Sequence, residues 1–139
     1  MYLKQADLFW GMSQSVIQAI TAKAERQEFQ ADEVVFRAED AADCFYVLIK
    51  GKVRMELRGS GRSVYGSDKV GEIFGWSALI RQNHYSATVI CEAPTIVLRF
   101  DCDSVWQQLE HDAESAAIFY KQLAAALGNR LLKAYDLIE

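Results

Sequence analysis

Residues 71–89 read Gly-Glu-Ile-Phe-Gly-Trp-Ser-Ala-Leu-Ile-Arg-Gln-Asn-His-Tyr-Ser-Ala-Thr-Val. This stretch predicts a loop and one short helical turn between two strands, with glycines at the bends. A loop of this kind can direct backbone N–H groups at an anion. The two positions at which it would best use charged side chains hold Trp76 and Tyr85. The stretch is therefore typical of a ligand-binding cradle that lacks two charged contacts.

The composition predicts one domain, residues 1–139, with enough apolar residues for its own core. Hydrophobic residues make up 51% of the chain, yet no apolar run approaches the roughly 18 residues of a membrane span. A net charge of −4 argues against a nucleic-acid-binding surface. Cys44, Cys91 and Cys102 lie far apart, without paired spacing. We therefore expect reduced thiols in a cytoplasmic protein.

Three regions are expected along the chain. Residues 1–27 are predicted to be helical, with Ser13 as a helix cap. Residues 28–100 carry short strands, best marked at 53–57, where apolar and charged residues alternate. Residues 103–139 are predicted to be helical again, with Ser104 opening a capping box. The fold class is mainly β with flanking α: a jelly-roll-like antiparallel barrel (a double-stranded β-helix) followed by a long C-terminal helix.

The long helix, predicted from about Asp112, carries two apolar lines. The first has the four-three spacing of a coiled-coil seam: Tyr120, Ala124, Leu127, Leu131, Ala134 and Ile138. The second, beside it, is Phe119, Leu123 and Ala126. Two lines indicate two surfaces to cover, the barrel and a second copy of the chain, so we predict a homodimer. The alternative is one wide stripe that faces the core.

This order of elements resembles the cyclic nucleotide-binding domain of the catabolite activator protein family, from about Leu8 to Leu132. Residues 45–53 (Phe-Tyr-Val-Leu-Ile-Lys-Gly-Lys-Val) resemble the family's strand–Gly–strand signature. Residues 71–75, 78–79 and 86–89 resemble its phosphate-binding cassette. The family pattern also has glycines at two barrel turns, where this chain has Asp32 and Ala38. These turns are expected either to adopt φ values that any L-residue tolerates or to use the tolerance of Asp32 for left-handed geometry.

The resemblance implies a binding site but changes its chemistry. In nucleotide-binding members a glutamate contacts the ribose and an arginine clamps the cyclic phosphate. Trp76 stands at the glutamate position and Tyr85 at the arginine position. Trp76 is either a core or interface aromatic or a ligand-stacking platform, and Tyr85 is either a ligand contact or a hydrogen-bonded plug. The candidate ligand-binding residues are Gly75, Trp76, Ser77, Ala78, Tyr85, Ser86 and Ala87.

Losing these charges weakens phosphate binding. A charge-assisted hydrogen bond contributes roughly 1.5–3 kcal/mol, and an arginine fork makes two. We therefore expect cyclic nucleotide affinity to be lower by at least about ten- to a hundredfold. The resemblance implies a regulatory ligand-sensing module that binds a cyclic nucleotide weakly, or another small anion, and signals through the C-terminal helix. The alternative is a ligand-free dimerisation or protein-interaction scaffold.

Several other functions find no support. His84 and His111 are the only histidines, too few for the metal set of a cupin-like enzyme. No Gly-x-Ser-x-Gly turn and no P-loop is present. Transcription factors of the family carry a winged helix-turn-helix after the long helix, and this chain ends at Glu139. We therefore expect no enzyme activity, no metal and no cofactor beyond a possible cyclic nucleotide or other small anion, and no nucleic-acid or membrane partner.

Overall fold

Helices flank a run of short strands in the computed structural model, which describes residues 7–57 and 61–136. The elements follow in this order: α1 Gln14–Ala22, β1 Glu25–Phe29, β2 Val34–Phe36, β3 Cys44–Lys50, β4 Val53–Leu57, β5 Ser63–Ser67, β6 Ile73–Phe74, β7 Ala87–Cys91, β8 Thr95–Asp101, α2 Cys102–Leu109 and α3 Ala113–Asp136. Two 3-10 turns, at Asp7–Phe9 and Trp76–Ile80, complete the framework. We call the second one the cassette turn.

The strands form two antiparallel four-stranded sheets. One has the order β1-β8-β3-β6 and the other β2-β7-β4-β5. The prediction of a mainly β, jelly-roll-like fold followed by a long helix is confirmed. The two sheets are not closed into a barrel, however, so the structure is an open pair of sheets rather than the barrel that was expected.

Strand β3 is buried on both faces, and this explains its unbroken apolar sequence. Phe45 and Val47 belong to the core cluster under the helices, whereas Tyr46 and Leu48 belong to the cluster between the two sheets. Successive side chains of a strand point to opposite faces, so a strand between two apolar layers needs apolar residues at every position. β3 thus joins the two core clusters.

The long helix α3 has a buried face and an exposed one. Phe119 and Leu123 are 0% and 5% exposed, and the Phe119 ring lies 6.1 Å from that of Phe9. Tyr120 and Leu131, both in the predicted seam, are 46% and 52% exposed. Of the other seam positions, Ala124 and Ala134 are exposed and Leu127 is half-buried. Ile138 lies outside the described residues.

Two predictions at the ends of the β region are wrong in detail. Residues 1–27 are not all helical, since α1 ends at Ala22 and β1 begins at Glu25. β1 is Glu-Arg-Gln-Glu-Phe, with no fully buried position, so it lacks the apolar alternation that marks a half-buried strand. Strand β8 runs on to Asp101 and α2 starts directly afterwards, at Cys102.

The helix caps also differ from the prediction. Asp101, not Ser104, caps α2, and its Oδ2 accepts from both the amide and the hydroxyl of Ser104 at 3.1 Å. A carboxylate satisfies the free amides of a first turn and also complements the helix dipole. Ser13 does hold the cap position of α1, but its hydroxyl makes no capping bond. Its amide donates instead to the Ser115 Oγ, at 3.1 Å.

Both turns that lack the family's glycines contain a residue other than glycine with a left-handed φ. Asp32 adopts a left-handed φ of 72°, as expected of a residue that replaces a glycine there. In the next turn the left-handed position is Glu39, with φ of 77°, rather than Ala38. None of the helices among the described residues is long and apolar enough to cross a membrane.

Candidate ligand cavity

A cavity of about 730 Å³ lies between the sheet β2-β7-β4-β5, the cassette turn and α3. Small-molecule sites typically enclose about 300–1,000 Å³. Six of the seven candidate site residues line the cavity: Gly75, Trp76, Ser77, Tyr85, Ser86 and Ala87. The seventh, Ala78, does not line it and is buried in the core cluster under the helices. The cassette therefore borders a real concavity.

One residue from each strand of the sheet forms a continuous row along the cavity. Phe36 of β2 pairs with Val89 of β7, Val89 with Met55 of β4, and Met55 with Tyr65 of β5. All four line the cavity. Directly paired residues share one face of a sheet. The row, which we call the cross-strand row, therefore presents an aromatic ring at each end and two flexible or branched aliphatic side chains between them.

Gly75 is the residue that lets the chain turn from β6 into the cassette turn. Its φ is 72° and its ψ 28°, in the left-handed region. A Cβ at this position would lie 3.0 Å from ring atoms of both Phe36 and Tyr46. Glycine avoids both the backbone strain and these contacts. The identity of this residue is thus fixed by the fold, whatever the ligand.

Tyr85 is turned inward and its hydroxyl is already engaged. The side chain is 4% exposed, and the hydroxyl donates to the carbonyl oxygen of Cys44 at 2.7 Å. The ring stacks on Phe36 with 3.9 Å between centroids. Burial raises the pKa of the Tyr85 hydroxyl above its ordinary value, so the group stays neutral. Of the two interpretations of Tyr85, these contacts favour the hydrogen-bonded plug.

Trp76 takes part in both the core and the cavity. It is half-buried and packs against the cluster under the helices, and it also lines the cavity. Its ring lies 5.9 Å from the guanidinium carbon of Arg130, within the range of a cation–π contact. The indole therefore stands between the cassette turn and the long helix, where the resemblance places a ribose-binding carboxylate.

Two cations that the sequence analysis did not select, Arg130 and Lys133 of α3, also line the cavity. Both lie over the Tyr65 ring, with the Arg130 guanidinium carbon 4.4 Å and the Lys133 Nζ 5.5 Å from its centroid. They are three residues apart on a helix and so share a face. That spacing, in a helix otherwise lined with apolar seam residues, is a signal that could have pointed to them.

Arg130 ties α3 to the sheet edge through a compact network. Its Nη2 donates to the Ile73 carbonyl oxygen at 2.8 Å and lies 3.4 Å from a Glu72 carboxylate oxygen. The hydroxyl of Tyr65 donates to the other Glu72 oxygen. Burial raises the pKa of the Tyr65 hydroxyl, and the hydrogen bond to the Glu72 carboxylate raises it further. The Arg130 and Glu72 side chains are each 15% exposed, so water weakens this ion pair less than a surface one.

The structure gives no metal-binding constellation in the part of the chain that it describes. Among residues 7–57 and 61–136, no group of three His, Cys, Asp or Glu side chains could hold a metal ion. Cys44, Cys91 and Cys102 are free and buried. Burial raises the pKa of the Cys44 and Cys102 thiols to about 12. Thiols of this kind are poor nucleophiles and act as core residues.

Comparison with known sequences decides the family. The sequence model described as "Cyclic nucleotide-binding domain" matches residues 26–112, a range that holds both sheets except the start of β1, together with the cassette turn. The chain belongs to this family. No curated protein sequence matches this cyclic nucleotide-binding domain.

Solved structures share the fold of this cyclic nucleotide-binding domain. A putative cyclic nucleotide-binding protein from Geobacter metallireducens superimposes with a TM-score of 0.81 at 24% identity, covering 93% of this chain and 95% of that one. The sensor domain of the transcriptional regulator DNR from Pseudomonas aeruginosa superimposes with a TM-score of 0.77 at 23% identity, covering 94% of this chain and 89% of that one. The catabolite activator protein of Thermus thermophilus superimposes with a TM-score of 0.75 at 22% identity, covering 95% of this chain and 62% of that one.

Proposed function

We propose that this chain is a single-domain, non-enzymatic regulatory module that senses a small molecule in the cavity and signals through α3. The observation that carries the proposal is the cavity of about 730 Å³ that the cassette and the long helix border together. A ligand there contacts the sheet and α3 at once. The neighbour from Pseudomonas aeruginosa is itself the sensor domain of a transcriptional regulator, which supports a sensing role.

The proposed affinity for cyclic nucleotides is low. The Tyr85 hydroxyl, at the position of the phosphate-clamping arginine, is bound to the Cys44 carbonyl oxygen. A phosphate placed against that ring would lose its hydrating water without gaining a charged partner. In a low-dielectric site this costs about 2 kcal/mol or more. Trp76 supplies no carboxylate for the ribose. A different small anion, held by the cations of α3, fits the lining better.

Signalling through α3 follows from the contacts of its last turns. Arg130 reaches the Glu72 side chain and the Ile73 backbone, and Ala134 lines the cavity. A ligand that occupies this space changes the contacts that hold the helix. If α3 has two positions, the ligand can shift the equilibrium between them only as far as its affinities for the two positions differ.

The second candidate function is a dimerisation or protein-interaction scaffold that works without a ligand. The observation in its favour is the exposed apolar surface of α3, where Tyr120, Leu131, Leu132 and Tyr135 are 46–61% exposed. Tyr120 and Leu131 belong to the predicted seam, and exposed apolar groups at that spacing favour a second copy of the chain as the partner. The two functions are compatible, since Ala134 belongs both to the seam and to the cavity lining. The three free, buried thiols support a reducing, cytoplasmic location.

Isothermal titration with cyclic AMP, cyclic GMP and a panel of small anions tests the sensing function. We expect weak or absent heats for the two nucleotides and measurable binding for at least one anion. The double variant Trp76→Glu/Tyr85→Arg restores both charged contacts and should gain at least about tenfold in cyclic nucleotide affinity. It should also melt at a lower temperature without ligand, because it buries a guanidinium in an aromatic site.

The variant Lys121→Arg is the matched control, since it changes an exposed cation of α3 that does not line the cavity. If no compound gives a heat of binding with the native protein, the sensing function is contradicted. The dimerisation or protein-interaction scaffold then remains as the candidate function. A double variant that folds but gains no affinity would show that the cassette positions are wrongly assigned.

A further inference from the structure

We propose that the cavity takes a monoanionic amphipathic ligand, an organic carboxylate with an apolar ring-containing body, bound with its charge at α3 and its body on the cross-strand row. This inference rests on the proposed sensing function and names the ligand class of that site. In this orientation the anionic group lies at α3, whereas the resemblance implies an anionic group at the cassette turn.

The Phe36 end of the row selects an uncharged group. Phe36 stacks on Tyr85 at 3.9 Å and on Tyr46 at 5.6 Å between centroids. The single polar atom of Tyr85 faces the Cys44 carbonyl oxygen rather than the cavity. An anion at this end would be desolvated against ring faces, whose π-electrons carry partial negative charge. An apolar ring, in contrast, can stack there.

The middle of the row is aliphatic. Val89 and Met55 are 0% and 9% exposed and face the cavity from adjacent strands. A methionine side chain is unbranched and adapts to irregular shapes. Leu57 and Ala87, which pair across the same two strands, extend this apolar floor along the strands. A sugar with several hydroxyls would find no donor or acceptor among these four side chains.

The Tyr65 end of the row holds the positive charge. Arg130 and Lys133 both lie over its ring, and Glu72 offsets one of the two charges by pairing with Arg130. Within residues 7–57 and 61–136, no carboxylate lies in ion-pair contact with Lys133. Among the described residues named here, two cations and one carboxylate leave a single positive charge at this end. A ligand with one negative charge balances it.

The spacing of the strands sets the length of the ligand. Four strands lie side by side in the order β2-β7-β4-β5, so three strand spacings separate Phe36 from Tyr65. At about 4.8 Å for each spacing, the two ends are about 14 Å apart. A two-ring body with a terminal carboxylate spans most of that distance, whereas a compact anion such as acetate reaches the cations but leaves the row empty.

The test compares biphenyl-4-carboxylate with its neutral analogue biphenyl-4-carboxamide, and both with cyclic AMP, by isothermal titration of the full chain. We expect the carboxylate to bind about tenfold more tightly than the carboxamide and more tightly than cyclic AMP. Lys133→Ala should remove most of the carboxylate's advantage and leave carboxamide binding unchanged. Ala87→Phe, which adds a ring to the apolar floor next to Val89 in the middle of the row, should weaken both biphenyl compounds.

Lys121→Ala is the matched control, since it removes an exposed charge from the same helix away from the cavity. It should leave all three affinities unchanged. A carboxylate advantage of about threefold or more that Lys133→Ala removes supports the proposal. A smaller advantage, or one that persists in Lys133→Ala, overturns the assignment of the charged end.

The outcomes also separate this inference from the proposed function. If cyclic AMP binds more tightly than either biphenyl compound, the ligand class is wrong and the sensing function stands. If none of the compounds nor any small anion of the panel binds, the sensing function itself fails and the inference falls with it. If the carboxylate binds equally well to native protein and Ala87→Phe, the body does not lie on the row, which overturns the proposed orientation.

Discussion

At the residue scale, Gly75 is the position at which backbone and cavity depend on each other most directly. Its left-handed φ of 72° excludes most side chains, and so do the rings of Phe36 and Tyr46, which would lie 3.0 Å from an added Cβ. We predict that Gly75→Ala lowers the free energy of unfolding by about 1–3 kcal/mol, from left-handed strain and displacement of the rings. Urea unfolding followed by circular dichroism measures this cost.

Gly128 provides the matched control for that substitution. It lies within α3, where an added Cβ would meet nothing within 4 Å. Gly128→Ala should therefore stabilise the protein by up to about 1 kcal/mol through helix propensity. Equal effects of the two substitutions would contradict the geometry assigned to the cassette turn.

The two most strongly shifted thiols make stability depend on alkaline pH. Burial raises the pKa of Cys44 and Cys102 from 9.0 to about 12. Below pH 9 these thiols are protonated in both the folded and the unfolded chain, so their stabilising effect is fully present. Between pH 9 and about 12 the unfolded chain loses these protons first, and the free energy of unfolding falls by up to about 1.4 kcal/mol per pH unit for each thiol.

Urea unfolding at about pH 8 and about pH 10 measures this decline, in a range where the tyrosines of the unfolded chain also begin to ionise. The variant Cys44→Ala/Cys102→Ala should start less stable, because it leaves cavities, but should lose less stability between the two pH values. Burial also raises the pKa of Cys91 and of the hydroxyls of Tyr46, Tyr65 and Tyr85, and these groups contribute to the remaining slope. Identical slopes in the native protein and the variant would show that the thiols are not the cause.

At the element scale, the connection between α3 and the sheet depends on the ion pair of Arg130 and Glu72. Both side chains are 15% exposed and further hydrogen-bonded, to the Ile73 carbonyl oxygen and the Tyr65 hydroxyl. We predict a coupling free energy of about 1–2 kcal/mol in a double-mutant cycle with Arg130→Met and Glu72→Gln. The single variant Arg130→Met should also speed hydrogen exchange in the last turns of α3.

Arg26 and Glu28 form the matched control pair. Their side chains are 59% and 61% exposed at a separation of 2.9 Å, and an exposed pair of this kind contributes at most about 1 kcal/mol, often less. If the cycle on Arg130 and Glu72 gives no larger coupling than the one on this surface pair, the connection does not hold the helix.

Elements with a strong apolar pattern could be predicted from the sequence, and elements without one could not. The alternation of Val53–Leu57 predicts β4, which has those bounds. β1 carries four polar residues in five, and β6 has only two residues. Pairing with β8 and β3 creates these strands, so their stability comes from partners that no local pattern shows. Asp101 caps α2 for a similar reason, because strand β8 runs up to this residue and so sets where the helix starts.

The same limit applies to the site. Gly75, Trp76 and Tyr85 could be placed at the cavity from sequence, because they lie in one stretch of chain whose pattern the family shares. Arg130 and Lys133 reach the cavity only because α3 returns across the sheet edge, about 60 residues after β5 in the chain. The side-chain direction of Tyr85 also depends on the Cys44 carbonyl oxygen, which another strand supplies. Contacts between distant segments therefore determine the polarity of the cavity.

At the scale of the whole molecule, α3 is both a wall of the cavity and the helix that exposes Tyr120, Leu131, Leu132 and Tyr135. Its inner face carries Phe119 and Leu123, its outer face Tyr120 and Leu131, and Ala134 of the seam also lines the cavity. The proposed ligand binding and the proposed self-association would therefore act on the same helix. If ligand changes the dimer affinity by some factor, dimerisation must change the ligand affinity by the same factor.

We predict that the native chain sediments as a dimer at micromolar concentration and that Leu131→Glu, which puts a charge in the centre of the seam, sediments as a monomer with an unchanged circular dichroism spectrum. Leu131 is 52% exposed, so its replacement leaves the core intact. Lys121→Glu changes an exposed charge outside the seam and should stay dimeric. A native chain that sediments as a monomer would contradict the dimer seam. The exposed apolar residues on the outer face of α3 would then favour a contact with a different protein, since clustered exposed apolar groups often mark interaction sites.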